Sequence, residues 1–547
     1  MKKLSIDSIN LLILGIVTFF VLVFTWGHHG GLIIDCGREA YYPLRVLQGK
    51  VLYKDIFNIY GPFAYLFNAF LYKIFGVSLN VLYVAGAMCS FLFVSLTYFI
   101  SRKVLNPQIS FAIGLFMCSV GVLSGSIFNF IFPYSYGMLY GTIAFMASLL
   151  FLVNFLENPN QSKFLILSFF FAGISFVSKY EFIPYIIVLL FFAIKMKKES
   201  LKNLFLGLSA MLLMPVLCIG ILFLQGLRLP DILEMLSLIH KMTGLYTLKY
   251  FYENCGVFLQ KQTIPNLIKV FLINLIPAVM IFLSFKVKKK YLAPILSVPA
   301  IFIILTQLKQ DSFVYLPILV AVLVIAFWKN IKTNKALLTI TFASMIVSLK
   351  FFWSLVVINY GSFTIGLLLT VLFAILVTKY DNEVLKKSIF VYMIASAISF
   401  VFVLLPFLID SKVKLQTQRG TFYYIPEYAS PTQKLIDYIN SNTEKTDKIV
   451  ILPEGALINF LTNRESDDFY TSIIPLYAEL FTSDKLIEHF KKTQPEYFIF
   501  NNWDTGDYYF RHICQDYAVK FCEYVDATYS YQGAIGEKFK YLIYKKK

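Results

Sequence analysis

The sequence predicts a polytopic α-helical membrane protein of about thirteen spans that ends in a small extracytoplasmic α/β domain. Of its 547 residues, 58% are hydrophobic and only 15% are charged, whereas a soluble globular protein carries about 25% charged residues. The apolar residues are concentrated in runs that basic loops separate. From about residue 410 these runs stop, and the composition becomes that of a soluble domain. Together these observations exclude a soluble enzyme, a disordered chain and a disulfide-stapled fold.

The thirteen predicted spans are consecutive apolar runs between short polar loops. They cover about 11–26, 79–100, 109–123, 138–156, 164–177, 182–194, 204–224, 264–285, 291–305, 314–327, 337–358, 361–377 and 388–409. Several are shorter than the roughly 20 residues that a perpendicular helix needs, so the number of spans is predicted to within about two. A further apolar stretch at 62–75 is too short to span and contains Asn68 and Lys73. It is predicted to lie in the outer interface as an amphipathic helix.

The distribution of charge predicts the orientation of the chain. Residues 1–409 contain 32 basic and 13 acidic residues, whereas residues 410–547 contain 17 basic and 19 acidic residues. With a cytoplasmic N-terminus, every basic cluster between spans falls on the cytoplasmic side, as the positive-inside rule requires. No soluble basic domain remains to bind nucleic acid. We therefore expect a multi-pass protein of the inner or plasma membrane, with membrane lipid and not nucleic acid as its surroundings.

Residues 410–547 are predicted to form a domain separate from the membrane module, which covers residues 1–409. An odd number of spans places this domain outside the cytoplasm. Its patterns predict helices near 435–440 and 485–491 and strands near 449–452, 497–500 and 541–544. Cys514 and Cys522 both belong to it. They can pair in an oxidising compartment or remain two independent thiols.

The first external loop, about residues 27–78, contains the strongest candidates for chemistry. Ionisable residues at a membrane boundary are costly and therefore candidates for function. Asp35 comes soon after the first span, and Glu39 comes four residues later. If the segment is helical, both carboxylates share one face, where they can accept a proton or hold a divalent cation such as Mg²⁺ or Mn²⁺. No step requires that cation, and a solvated loop with Arg38 as ion-pair partner is the alternative.

Other ionisable residues on the predicted outer face are candidates for binding an anion or an acceptor. Lys179 and Glu181 interrupt two apolar runs, where a plain turn favours Gly, Asn or Ser. Lys350 lies at the outer end of a span, where it either extends to the interface or binds a phosphate. The full set is Arg38, Lys54, Asp55, Lys179, Glu181, His240 and Lys350.

The motifs of the first loop carry a family resemblance. They are residues 35–39 (DCGRE), 49–55 (GKVLYKD), 61–62 (GP) and 71–76 (LYKIFG), together with 179–181 (KYE). They resemble the start of the GT-C glycosyltransferases, and in particular the glycosyltransferase family 39 type, which includes protein O-mannosyltransferases and aminoarabinose transferases of lipid A. The resemblance implies an enzyme, a hexosyl- or pentosyltransferase of the cell envelope. Its donor would be a polyprenyl-phosphate sugar and its acceptor a glycan, lipid or protein on the extracytoplasmic face.

The resemblance also implies roles for individual residues. In an inverting single displacement, Asp35 would be the general base on the acceptor hydroxyl. The departing lipid phosphate needs a cation beside it. In order of expectation, the candidate cations are Lys54, Arg38, Lys179 and Lys350.

The second acid of the family is missing from its expected place. Many members carry an Asp or Glu in the second external loop, whereas residues 124–130 contain neither. Either Glu39 or Glu181 takes that role, with Asp55 and His240 as further residues for the second acid or the acceptor, or one carboxylate is sufficient.

Two other classes of protein compete with this interpretation. A polysaccharide polymerase or ligase, which uses a lipid-diphosphate oligosaccharide, has a similar layout. A transporter or flippase would place its charges near the bilayer midplane and would have little use for the soluble domain. A membrane scaffold that only displays the domain leaves the carboxylates at the membrane boundary unexplained.

Overall fold

The computed structural model describes residues 5–125, 127–195, 201–254, 260–349 and 360–547. Within these residues, the chain up to residue 410 consists mainly of helices. The α-helices of this membrane part are α1 (Ile6–Thr25), α2 (Gly37–Leu47), α3 (Phe63–Phe75), α4 (Leu79–Arg102), α5 (Pro107–Met117), α6 (Tyr136–Glu157), α7 (Ser162–Ser178), α8 (Tyr185–Lys195), α9 (Leu201–Leu224), α10 (Leu229–Thr243), α11 (Tyr246–Asn254), α12 (Thr263–Lys286), α13 (Ala293–Gln307), α14 (Leu316–Ala326), α15 (Trp328–Ile331), α16 (Lys335–Val347), α17 (Ile365–Tyr380) and α18 (Glu383–Asp410).

Within the described residues, helices occupy all of the apolar segments that the sequence predicts as spans. Six of the described helices are long and apolar enough to cross a membrane. Residues 293–307 and 311–326, which are bent by 118°, form a pair that would make a seventh. The other apolar helices are shorter than a perpendicular crossing needs. The polytopic helical fold is therefore confirmed, whereas the exact number of spans stays a prediction.

Local sequence explains where these helices begin and how closely they pack. The Asn106 side chain accepts a hydrogen bond from the Ile109 amide, and Pro107 occupies the first turn of α5, so that helix has a strong start. Ser135 caps α6 in the same way. Helices α7 and α9 approach closely at Gly173, where an added Cβ would lie 1.9 Å from the Met211 carbonyl oxygen. Small residues at helix crossings allow such contacts in membranes.

The first loop, about residues 27–78, contains two helices, α2 and α3. In α3, the side chains of Tyr65 and Tyr72 are buried against the protein, whereas Phe67, Phe70 and Ile74 are exposed on the opposite face. The helix predicted for 62–75 is therefore present. Its exposed apolar face suits the predicted position in the membrane interface.

The chain changes character where α18 ends at Asp410. The following residues form a β-hairpin and a four-stranded sheet with order β3-β4-β6-β5, in which β3 and β4 are parallel and the other neighbours antiparallel. All of β3 and β4 is buried. The elements are β1 (Val413–Thr417), β2 (Gly420–Tyr424), α19 (Pro426–Asn442), β3 (Ile449–Leu452), α20 (Ala456–Thr462), α21 (Pro475–Phe481), α22 (Ser483–Thr493), β4 (Tyr497–Asn501), α23 (Val519–Thr528), β5 (Tyr529–Ile535) and β6 (Tyr541–Lys546).

The small α/β domain predicted from the sequence is thus present. The predicted segments 435–440 and 485–491 are parts of α19 and α22, and the three predicted strands are β3, β4 and β6. Cys514 and Cys522 are joined by a disulfide, so of the two alternatives the pairing is the one found.

The domain packs directly against the first loop. A Cβ on Gly37, the first residue of α2, would lie 2.6 Å from the backbone nitrogen of Leu457 in α20, so only glycine allows this approach. The Tyr41 hydroxyl accepts a hydrogen bond from the Ser466 amide at 2.8 Å. This interface places the first loop and the domain on either side of one cavity.

Candidate active site

A cavity lies between the first loop and the C-terminal domain. Residues separated by most of the chain therefore build one site. Its loop wall consists of Ile34, Asp35, Arg38, Tyr42, Phe57, Asn58, Ile59 and Tyr60. Its domain wall consists of Glu454, Gly455, Ala456, Phe469, Thr471, Ser472 and Tyr477.

Asp35 lines this cavity from a turn between α1 and α2. The Cys36 amide donates to the Gly31 carbonyl at 3.0 Å, and α2 begins only at Gly37. Burial raises the pKa of the Asp35 carboxyl, the positive charge of Arg38 opposes that rise, and the negative charge of Asp507 adds to it. A carboxylate with a raised pKa that faces a cavity is a better proton acceptor than an ordinary surface aspartate.

Glu39 points away from the cavity into the protein. Its carboxylate accepts hydrogen bonds from the Tyr136 amide at 2.8 Å, the Tyr65 hydroxyl at 3.0 Å and Arg38 Nε at 3.3 Å. Burial raises the Glu39 pKa, while the charge of Arg38 and these donors oppose that rise. Because Asp35 precedes helix α2, Asp35 and Glu39 do not lie on one face of a helix. Glu39 instead orients Arg38 and the start of α6.

Arg38 is the cation that faces the cavity. Its guanidinium donates to the Tyr134 hydroxyl at 3.2 Å and to the Tyr134 carbonyl at 3.1 Å. The guanidinium carbon lies 4.2 Å from the Tyr134 ring centroid and 4.8 Å from that of Tyr60. These contacts fix the planar group, and a fixed guanidinium is well suited to bind phosphate oxygens.

The other predicted cations lie outside the lining. Lys179 is buried behind Tyr60, with its Nζ 4.4 Å from the ring centroid and 3.8 Å from Glu181 Oε1. Lys54 donates to the Gly226 carbonyl at 3.2 Å in an exposed position. Lys350 lies outside the described residues. Among the described candidates, therefore, Arg38 lines the cavity and Lys179 lies next to it.

Three further candidates, Glu181, Asp55 and His240, also lie outside the lining. The Asp55 carboxylate accepts the Val51 amide at 2.9 Å and closes a local turn. His240 is exposed on α10. Within the described part of the chain, no three Asp, Glu, His or Cys residues lie close enough together to hold a metal ion. Asp35 lines the cavity, whereas Glu39 is hydrogen-bonded inside the protein, so the two carboxylates have different surroundings.

Glu454 is a cavity residue that the sequence analysis missed. It lies two residues after the end of the buried strand β3, and its Oε1 accepts a hydrogen bond from the Ser472 hydroxyl at 3.1 Å. Burial raises its pKa, the negative charge of Asp35 raises it further, and Arg38 opposes the rise. The sequence contained one usable signal, because side chains that follow the carboxyl end of a strand commonly form ligand sites in α/β domains.

Comparison with known proteins agrees with this architecture. A family model described as dolichyl-phosphate-mannose-protein mannosyltransferase matches residues 60–222. The oligosaccharyltransferase from Archaeoglobus fulgidus in its apo form is 13% identical, covering 93% of this chain and 71% of that one with a TM-score of 0.50. ArnT from Cupriavidus metallidurans bound to undecaprenyl phosphate is 14% identical, covering 97% of both chains with a TM-score of 0.48. No curated protein sequence matches the chain significantly.

The resemblance to GT-C glycosyltransferases of the family 39 type is thereby confirmed. The chain shares the fold of the archaeal oligosaccharyltransferase. Over residues 60–222 it also has the sequence features of the mannosyltransferase family. The chain is therefore similar to the class of membrane glycosyltransferases of the GT-C type. The family match contains Lys179 and Glu181 but begins after Asp35, so the role of Asp35 depends on the site geometry.

Proposed function

We propose that the chain transfers a sugar from a polyprenyl-phosphate donor to a hydroxyl group of a lipid, glycan or protein on the extracytoplasmic face of the membrane. One observation carries the proposal: Asp35 and Arg38 line the same cavity at the boundary between the helical part and the C-terminal domain. A base for the acceptor and a cation for the departing phosphate are the two groups that this reaction needs. The description of the matching family, which names dolichyl-phosphate-mannose, supports the class of donor.

The proposed reaction is a single inverting displacement. Asp35 takes the proton of the acceptor hydroxyl as its oxygen attacks the anomeric carbon of the sugar. The bond from that carbon to the phosphate oxygen breaks, and polyprenyl phosphate leaves with the electron pair. Arg38 stabilises the negative charge that develops on the phosphate. A positioned base contributes about a hundred- to ten-thousandfold to rate, and a fixed donor to the developing charge about a hundredfold or more.

Two features support an extracytoplasmic site. Basic clusters between the predicted spans all fall on the opposite side. The disulfide between Cys514 and Cys522 lies in the domain that forms one wall of the cavity, and disulfides persist in oxidising compartments. The exposed apolar face of α3, with Phe67 and Phe70, is a hydrophobic surface within the first loop that suits the lipid chain of a donor.

The test uses a strain from which the coding sequence is deleted. Mass spectrometry of its lipid extract should show an accumulated polyprenyl-phosphate sugar, and its envelope fraction should lack that sugar on an acceptor. The wild-type chain should restore both, whereas Asp35→Asn should restore neither although it is inserted at the same level. A deletion strain with unchanged donor lipid and unchanged envelope sugar would refute the proposal. Accumulation of a lipid-diphosphate oligosaccharide would instead favour the polymerase or ligase class.

A further inference from the structure

The domain wall of the cavity presents a second carboxyl group to Asp35. Hydrogen bonds hold both the backbone and the side chain of Glu454. Its carbonyl oxygen accepts a hydrogen bond from Asn501 Nδ2 at 2.7 Å, and its side chain accepts from the Ser472 hydroxyl at 3.1 Å. An isolated antiparallel bridge pairs Glu454 with Ser472. The position of this carboxyl group is therefore a property of the domain fold and not of a free side chain.

Two carboxyl groups in one buried site do not both ionise readily at neutral pH. The negative charge of Asp35 is among the causes that raise the pKa of Glu454. Asp35 and Arg38 both lie on the loop wall, so the ionised partner is the residue beside the cation. Glu454 then keeps its proton, and a protonated carboxyl group both donates and accepts a hydrogen bond.

Among the described residues, the charged neighbours of Glu454 in the cavity are Asp35 and Arg38. The titratable side chains that also interact with it are phenols: Tyr42, Tyr477, Tyr508 and Tyr517. Burial raises the pKa of each of these phenols, so they stay neutral over the range in which Glu454 titrates.

We propose that Glu454 is the second carboxyl group of the reaction site and that it hydrogen-bonds the hydroxyl-bearing acceptor opposite Asp35. This inference rests on the proposed function. Asp35 takes the proton of the acceptor hydroxyl from the loop wall. Glu454 faces the same cavity from the domain wall, where Thr471 and Ser472 add hydroxyl groups, so its carboxyl group can bind the acceptor from the other side. The C-terminal domain thus supplies the acid that residues 124–130 lack.

The test compares variants in membranes of the deletion strain. The donor probe is the lipid-linked sugar extracted from that strain, and the acceptor probe is the strain's own envelope fraction, which carries unmodified acceptor. Glu454→Ala should increase the amount of envelope fraction needed for half-maximal rate about tenfold, because one hydrogen bond to a buried partner is lost. Glu454→Gln, which still donates and accepts, should increase it less. The matched control is Glu488→Gln, an exposed glutamate of α22, and it should behave as the wild type.

The pH profile gives a second readout that a structural role would not change. Wild-type transfer should fall on the alkaline side as Glu454 loses its proton, and Glu454→Gln should lack that fall. A wild-type protein that leaves the donor unchanged would overturn the transferase proposal together with this inference. A wild-type protein that transfers while Glu454→Ala needs no more acceptor would overturn this inference alone. If Glu454→Ala does not fold, an alkaline fall that persists in Glu454→Gln would overturn it.

Discussion

Arg45 and Asp468 join the first loop to the C-terminal domain through two hydrogen bonds, Nε to Oδ1 at 2.7 Å and Nη2 to Oδ2 at 3.0 Å. Only 2% of the Arg45 side chain and 9% of the Asp468 side chain are exposed. Arg45 also contacts Glu465 at 2.7 Å. Because the cavity lies between these two parts of the chain, this bidentate pair helps to fix the separation of Asp35 from Glu454.

Removing Arg45 should therefore weaken both folding and transfer. Among the described residues, Arg45→Met leaves the buried Asp468 carboxylate with only the Tyr41 hydroxyl at 3.3 Å and Lys50 at 3.9 Å, and breaking a buried ion pair typically costs up to about 3–5 kcal/mol. The thermal midpoint of the detergent-purified protein should fall by several degrees. The matched control is Lys492→Met, because Lys492 and Glu488 are 72% and 70% exposed and such pairs contribute about 0–1 kcal/mol. Equal midpoints for the two variants would show that the ion pair does not hold the domain in place.

The cations of the first loop should differ sharply in their effect on rate. Arg38→Gln removes the charge that faces the cavity, so transfer should fall about a hundredfold, the equivalent of roughly 3 kcal/mol of lost stabilisation of developing charge. Lys54→Met should have little effect, because Lys54 contacts the Gly226 carbonyl outside the cavity lining. Initial rates of donor consumption measure both. A larger loss for Lys54→Met would restore the order expected from the sequence and place the phosphate near Lys54.

The membrane helices were predictable because their signal is local. A helix in a bilayer must satisfy its own backbone hydrogen bonds, so apolar runs and basic loops are enough to locate it. Strands β3, β4 and β6 were predictable for a similar reason, since each is a short apolar run. The hairpin β1–β2 and the short helix α20 were missed. Their sequences carry mixed polarity and depend on contacts with distant parts of the chain, such as the hydrogen bond from the Leu79 amide to the Arg419 carbonyl.

The candidate site was predictable only in part. Asp35 was found because it directly follows an apolar run. Its expected partner Glu39 faces the protein interior, because the helix begins two residues after Asp35 and not before it. Glu454 was not found, since the contact between its domain and α2 joins residues that are far apart in sequence. Spacing rules such as i,i+4 describe one helix and cannot report such a contact.

Asp35→Asn should make the protein more stable. Burial raises the Asp35 pKa in the folded state, so between the ordinary aspartate pKa and the raised one the folded state binds more protons than the unfolded state. The free energy of unfolding then falls as the pH rises through that interval and stays lower above it. Asparagine has no charge to bury. At pH 7.5 the thermal midpoint of Asp35→Asn should exceed that of the wild type, and the difference should shrink as the pH falls towards about 4. A lower midpoint at pH 7.5 would contradict a folded-state pKa of Asp35 that burial raises.

The orientation of the chain is open to a direct test with reporter fusions. Alkaline phosphatase fused after Ile409 should be active, and green fluorescent protein fused at the same position should not fluoresce. Both results are expected because the charge pattern predicts an extracytoplasmic domain. Fusions after Glu157, in a predicted cytoplasmic loop, should give the opposite pair of signals. A fluorescent, phosphatase-negative fusion after Ile409 would refute the predicted orientation and the extracytoplasmic reaction.

The transfer activity of Asp35→Asn tests the central claim most directly. The substitution keeps the size of the side chain and its hydrogen-bonding ability but removes its capacity to accept a proton at neutral pH. With donor lipid and envelope fraction from the deletion strain, the variant should be inserted like the wild type and transfer about a hundred- to ten-thousandfold more slowly. Near wild-type transfer by Asp35→Asn, with a loss in Glu181→Gln instead, would contradict the account and move the reaction away from this cavity.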